Sequence, residues 1–202
     1  MICLAVNTAT SVLSIALVDG GKTLSYFSTA ETRDQGNVLI KNAQKMLLDN
    51  KLSFGDIGLL AVVTGPGSFT GIRIGIAAMR GIAMAAKLPI TGVTSFDLFA
   101  ETEEVYKNIV AVESWRDELY FRVAGEEPVN VTPEVFVKSL NGKFLVSGDA
   151  REKLRGFLPE AKFSQNDANA EHLAKLALAK GADEKRPVPF YLREPDVTIK
   201  KT

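Results

Sequence analysis

The chain has 202 residues, 46% hydrophobic and 24% charged, which is enough apolar material for a packed core without disulfide or metal staples. Its 24 basic and 24 acidic residues cancel, so it lacks the basic excess of a protein that grips nucleic acid unaided. One Cys and one His exclude an internal disulfide and a zinc site made of two or three histidines.

The first 30 residues predict strands: apolar ICLAV, a polar turn NTATS, β-rich VLSIALV, a DGG hairpin turn and alternating KTLSYFST. Cys3 lies in the first of these and reads as a small buried apolar residue. The opening MICLAVNTAT lacks a basic stretch followed by an apolar core and cleavage site. A cytoplasmic protein in a reducing compartment is therefore expected. Next, GNVLIKNAQKMLLDN predicts a helix with Leu39, Ala43, Met46 and Leu47 at helical spacing. Val38, Ile40 and Leu48 widen its apolar stripe beyond one face. LLAVVTG predicts a central strand covered on both sides.

TGPGSFTGIRIGIAAMRGIAMAA (64–86) begins as a glycine-rich loop and continues as a helix. The loop glycines permit positive φ, and Ser68 or Thr70 can cap the helix, leaving N–H groups able to hold an anion. From Ile72 to Ala86 the only charges are Arg73 and Arg80, with Lys87 next, all on one narrow stripe. Arginines and glycines make this segment a poor bilayer span, so no membrane role is expected. Gly71, Gly75 and Ala78 form one small-residue ridge, and Ala77, Gly81 and Ala85 form another. A helix apolar nearly all round must be covered nearly all round. One sheet covers one side, so a second polypeptide is expected on the other; the alternative is that both helices are internal, sandwiched within this chain. The expected interface comprises Leu39, Ala43, Met46, Leu47, Gly71, Arg73, Gly75, Ala78 and Met79.

Strand PITGV, helix SFDLFAETEEVY and strand NIVAVES follow, and then the pattern restarts. AVNTATSVLSIAL (5–17) lies over AVESWRDELYFRV (111–123) at an offset of 106 residues. LAVVTG before a helix is echoed by FLVSGD before AREKLRGFL. Two duplicated lobes are expected, 1–104 and 105–202, the second ending in an extended tail with Pro187, Pro189 and Pro195. His172 reads as a plain helical histidine. Gly-x-Ser-x-Gly fails at Ser68, a Walker lysine is missing, and no spacing pairs Asp19, Glu113, Asp117 or Asp149. No metal site is expected.

GPGSFTGIRIG resembles the signature of the bacterial TsaB (YeaZ) family of tRNA threonylcarbamoyladenosine biosynthesis. LAVNTAT, ITGVTSFDLFA, ESWRDELY, SGDA and PFYLR resemble further family segments in order along the whole chain. The resemblance implies an α/β actin-like ATPase (ASKHA) fold, with two RNase H-like lobes of mixed sheets flanked by helices and a reduced second lobe. It implies a non-catalytic scaffold for a TsaD-like catalytic subunit, joined by a TsaE-like ATPase. The assembly transfers threonylcarbamoyl to the adenosine beside the anticodon of tRNAs reading A-starting codons. Pairing with TsaD, or with a second copy as a homodimer in isolation, uses the two helices after the first hairpin. Transfer RNA is met only through the complex. No tightly bound cofactor is expected, and a partner interface is a candidate site for ATP or ADP. Asn7, Thr8 and Glu113 fall around a vestigial nucleotide cleft, where Asn7 and Glu113 each replace a family Asp. RDQGNVLI lacks the family histidine. The competing expectation is an enzyme acting alone, either an actin-fold nucleotide-binding enzyme or a glycoprotease-like peptidase.

Overall fold

The computed structural model describes residues 1–31 and 34–192. Arg33 ahead of the first helix, and Arg193 and Pro195 of the tail, lie outside them. The first sheet contains β1 (Ile2–Asn7), β2 (Leu13–Asp19), β3 (Lys22–Thr29), β4 (Ile57–Gly65) and β5 (Ile90–Thr94), in the order β3-β2-β1-β4-β5. β1, β2 and β3 pair antiparallel, and β4 and β5 continue parallel to β1. Cys3 to Asn7 are buried without interruption, and so are Leu59 to Gly65, which requires cover on both faces of the sheet. At the edge, β3 alternates exposed and half-buried positions. Burial pushes the Cys3 thiol up to about 12, so it is an inert core group.

The second sheet repeats this plan. β6 (Lys107–Val112), β7 (Leu119–Val123), β8 (Val129–Val131), β9 (Phe144–Ser147) and β10 (Lys162–Phe163) run in the order β10-β9-β6-β7-β8. Antiparallel and parallel pairings fall at the same places as in the first sheet. Strand for strand, the topologies are identical, and these are two RNase H-like lobes of an actin-like fold.

The connecting helices differ. In the first lobe, α1 (Gln35–Asp49) follows β3 and α2 (Phe69–Ala86) follows β4. Their counterparts are one turn of helix, α4 (Pro133–Val137), and a 3-10 turn at Arg151–Leu154. AREKLRGFL therefore yields much less helix than its sequence predicts, and the second lobe is the reduced one. The predicted helix 95–106 also shortens, to α3 (Ser95–Phe99). Thr94 caps it by accepting from the Asp97 N–H at 3.0 Å. Beyond Phe99 come Glu101, Glu103 and Glu104, and carboxylates disfavour the negative end of a helix. Instead Glu101 bonds Ser164 and Glu103 pairs with Lys162.

The predicted lobe 105–202 needs correction. Its last described helix, α5 (Ala170–Lys180), returns to the first sheet. Leu173, Ala174 and Ala177 are buried in the same core as β1, β2 and β4. Asn169 caps α5, and the Ala170 N–H reaches back to Ser14 Oγ at 3.1 Å. The tail follows α5: Asp183 Oδ2 accepts from the Gly92 N–H at 2.7 Å, and the Phe190 N–H donates to the Thr64 carbonyl at 2.8 Å. Strand β6 joins the lobes by its alternation, with Ile109 and Ala111 in the second core and Val110 and Val112 in the first.

α2 sits unusually close to the turn after β1. The Thr8 hydroxyl donates to the Gly71 carbonyl at 2.7 Å, and the Ser68 N–H donates to the Ala9 carbonyl at 2.7 Å. A Cβ at Gly71 would overlap the Thr8 carbonyl oxygen, and one at Gly75 would overlap Thr8 Oγ1. Gly71→Ala is therefore expected to cost about 3 kcal/mol of stability. Urea unfolding of the variant checks this.

Candidate functional site

The nine residues expected at a partner interface separate into two groups. Leu39, Ala43, Met46 and Leu47 of α1 are buried in the chain's own core. Gly71, Gly75 and Met79 of α2 are buried as well. These seven are corrected from interface to core: the strongest apolar stripe on each helix is the one that faces its own sheet. Arg73 is exposed and Ala78 half-buried.

The outward side of α2 is built from the other ridge. Ala77, Gly81, Met84 and Ala85 are exposed, and Ile74 and Ile82 are half-buried. Met84 retains 65% of its accessible surface. A Cβ at Gly81 would meet nothing within 4 Å beyond its own stretch of helix. Hence Gly71 and Gly75 are explained by Thr8, whereas Gly81 has no intramolecular reason to be glycine. α1 lies beside α2 and adds exposed Leu48, at 75%. By length and composition, Phe69–Ala86 could cross a membrane, but its Ile72, Ile76, Met79 and Ala83 are buried in the chain's own core.

A groove of about 440 Å³ lies between α2 and the tail, lined by the apolar Ile76, Ala77, Gly81, Met84 and Pro189 together with Arg73, Arg80 and Arg186. The sequence offered no sign of Arg186, because only the fold brings the tail beside α2.

A second concavity, about 470 Å³, lies between the lobes. The signature loop from Pro66 to Thr70, the β6–β7 turn and the tail at Phe190–Leu192 form it. The Arg73 guanidinium stacks 3.7 Å from the Phe69 ring centroid and donates through Nε to the Tyr191 hydroxyl at 2.8 Å. Trp115 stands half exposed at the turn, with φ near 58°. This was missed in the sequence, where the chain's single tryptophan in a polar turn was the available signal.

Asn7, Thr8 and Glu113 do not line that cleft. Asn7 is buried, and its Oδ1 accepts from the Ala9 N–H at 3.0 Å, closing its own turn. Thr8 is committed to α2. Glu113 Oε1 accepts from the N–H groups of Ser114 and Trp115, and Oε2 pairs with Lys153 Nζ at 2.6 Å. Asn7 and Glu113 thus serve the equivalent turns of the two lobes, and Thr8 serves the packing of α2. Beside Glu113, Asp149 Oδ1 accepts from the Glu113 N–H at 2.9 Å. Desolvation pushes the Asp149 carboxyl up to about 6. His172 is half-buried on α5, and burial lowers its pKa. Among the described residues, no group of three His, Cys, Asp or Glu side chains could hold a metal ion.

A family model described as "TsaD: tRNA N6-adenosine threonylcarbamoyltransferase" matches residues 30–142. The chain is 38% identical over 98 residues to the tRNA threonylcarbamoyladenosine biosynthesis protein TsaB of Escherichia coli, covering 48% of this chain and 42% of that one. It is 27% identical over 130 residues to TsaB of Haemophilus influenzae, covering 62% and 55%. The chain belongs to the TsaB (YeaZ) branch of this family. The alignments span about half the length of these two TsaB relatives. YeaZ from Pseudomonas aeruginosa superposes with a TM-score of 0.74 at 23% identity, over 95% of this chain and 99% of that one, and so shares the fold. In this TsaB-family chain the signature GPGSFTG is the segment that buries Gly71 against Thr8 and turns the opposite ridge of α2 outward.

Gly81→Ala is expected to raise stability by about 1 kcal/mol, since alanine favours the helix and no neighbour is displaced. Denaturant midpoints of the variant and wild type read this directly. A carboxyl with a raised folded-state pKa takes up its proton in the folded state first. Stability relative to Asp149→Asn should therefore increase, on the order of 1 kcal/mol, as pH falls from about 7 to about 5. Urea titrations of both proteins across that range provide the check.

Proposed function

We propose that this chain is a non-catalytic scaffold subunit of the assembly that makes threonylcarbamoyladenosine in tRNA, and that its α1–α2 face carries a TsaD-like catalytic subunit. The observation behind this reading is the outward ridge of α2, where Ala77, Gly81, Met84 and Ala85 stand exposed on a helix whose other side is fully used. Contiguous apolar surface of this kind, rimmed by polar groups, marks association. Family membership supplies the class of partner. The engagement of Asn7 and Glu113 in their own turns supports a non-catalytic role.

In this proposal a TsaE-like ATPase joins the pair, ATP or ADP binds at a partner interface, and tRNA is met only through the complex. The work takes place in the cytoplasm. Without its partner, the chain uses the same face to pair with a second copy.

Ala77→Glu combined with Gly81→Glu places two carboxylates on the exposed ridge without touching the core. Folding by circular dichroism should be unchanged. Affinity for the purified cognate TsaD-like subunit should fall by at least 30-fold, about 2 kcal/mol, in line with loss of a central contact. Wild-type affinity in the double variant, or no measurable pairing by the wild-type chain, would defeat the proposal.

A further inference from the structure

The groove on α2 carries a charge pattern as well as apolar lining. Arg73 and Arg80 are seven residues apart on one stripe, so they stand about 10 Å apart along the helix. Arg186 faces the groove from the tail. Among the described residues, neither Arg80 nor Arg186 has a carboxylate within ion-pairing distance, and Arg73 is held by an uncharged tyrosine hydroxyl. α2 itself contains no acidic residue. Neighbouring α1 exposes Lys41 and Lys45, the latter paired with Asp49 at 2.5 Å. In a chain of zero net charge, three guanidiniums thus line one groove together with Ala77, Gly81 and Met84.

Resting on the partner face proposed above, the geometry points to an occupant of definite chemistry: an amphipathic helix of another protein whose apolar stripe is flanked by carboxylates two turns apart. The apolar lining selects apolar side chains, and open space above Gly81 admits a close backbone. The three guanidiniums then find carboxylates, which they bind in bidentate fashion. A second copy fits this face less well. Two-fold pairing would bring six guanidiniums into one interface with no acidic residue from either α2. The same surface thus ranks an acidic partner above self-association.

Salt separates the two pairings by sign. Sedimentation of the full chain, alone and with the cognate TsaD-like subunit, is compared between about 0.05 M and about 0.5 M NaCl. Heteropairing should weaken at least 10-fold at high salt, whereas self-association should hold or strengthen as repulsion is screened. Arg80→Glu with Arg186→Glu breaks no described ion pair, so its melting should match wild type while heteropairing falls at least 10-fold. Heteropairing that is indifferent to salt and to this reversal, yet abolished by Ala77→Glu with Gly81→Glu, overturns the charge assignment and leaves the scaffold reading intact. A second probe does not depend on the partner. A Leu/Glu amphipathic helical peptide should bind at least 10-fold tighter than its Leu/Lys counterpart, with the order reversed in the arginine double variant. Equal binding of the peptides, or tighter binding of single-stranded RNA or phosphatidylserine vesicles than of the acidic peptide, overturns it.

Discussion

Thr8 and the glycines of α2 meet at a separation only hydrogen side chains allow. The turn leaving β1 presses its carbonyl and hydroxyl oxygens into the notch at Gly71 and Gly75. That contact fixes both the distance of α2 from the sheet and its rotation about its own axis. Ile72, Ile76 and Met79 then point inward, and the Ala77–Gly81–Ala85 ridge points out. A helix set one ångström farther away would lose dispersion contacts along its length, and one turned by a third would bury its arginines. The signature loop is thus a packing device first, and the character of the outer surface follows from it.

The two lobes share a strand topology but have diverged in what covers it. The first has α1, α2 and α5, the last supplied from beyond the second sheet. Short segments serve the second lobe, whose core is correspondingly smaller. The pseudo-equivalent turns after β1 and β6 have also taken the same kind of internal duty. An amide closes one, and a carboxylate gathers two N–H groups in the other. Both side chains brace the backbone of the turn that follows their own strand.

Much of the fold was legible from the sequence because it depends on local pattern. Continuous apolar runs gave β1 and β4, turn residues gave the hairpins, and the 106-residue echo gave the duplication. Patterning also showed that α2 was too apolar for one contact, though not which ridge met the sheet. Both ridges consist of small residues three or four apart, and the position of Thr8 decides between them. For α1 the apolar stripe through Leu39 and Ala43 was a core stripe, as the ordinary rule for amphipathic helices would have it. Helix lengths failed at 95–106 and 150–158, where propensity was outweighed by carboxylates engaged across the lobes and by a short crossover. Arg186 and the inter-lobe aromatic residues depend on tertiary placement of the tail, which no periodicity encodes.

The return of α5 to the first sheet has a bearing on how the chain is made. Residues 2–94 emerge from the ribosome first, yet one face of their sheet awaits a helix encoded some 75 residues later. Until then β1, β2 and β4 present uncovered Val, Leu and Ile, the kind of nascent surface that chaperones hold. Threading the second sheet between the two parts of the first core makes the lobe translated earliest the one completed last.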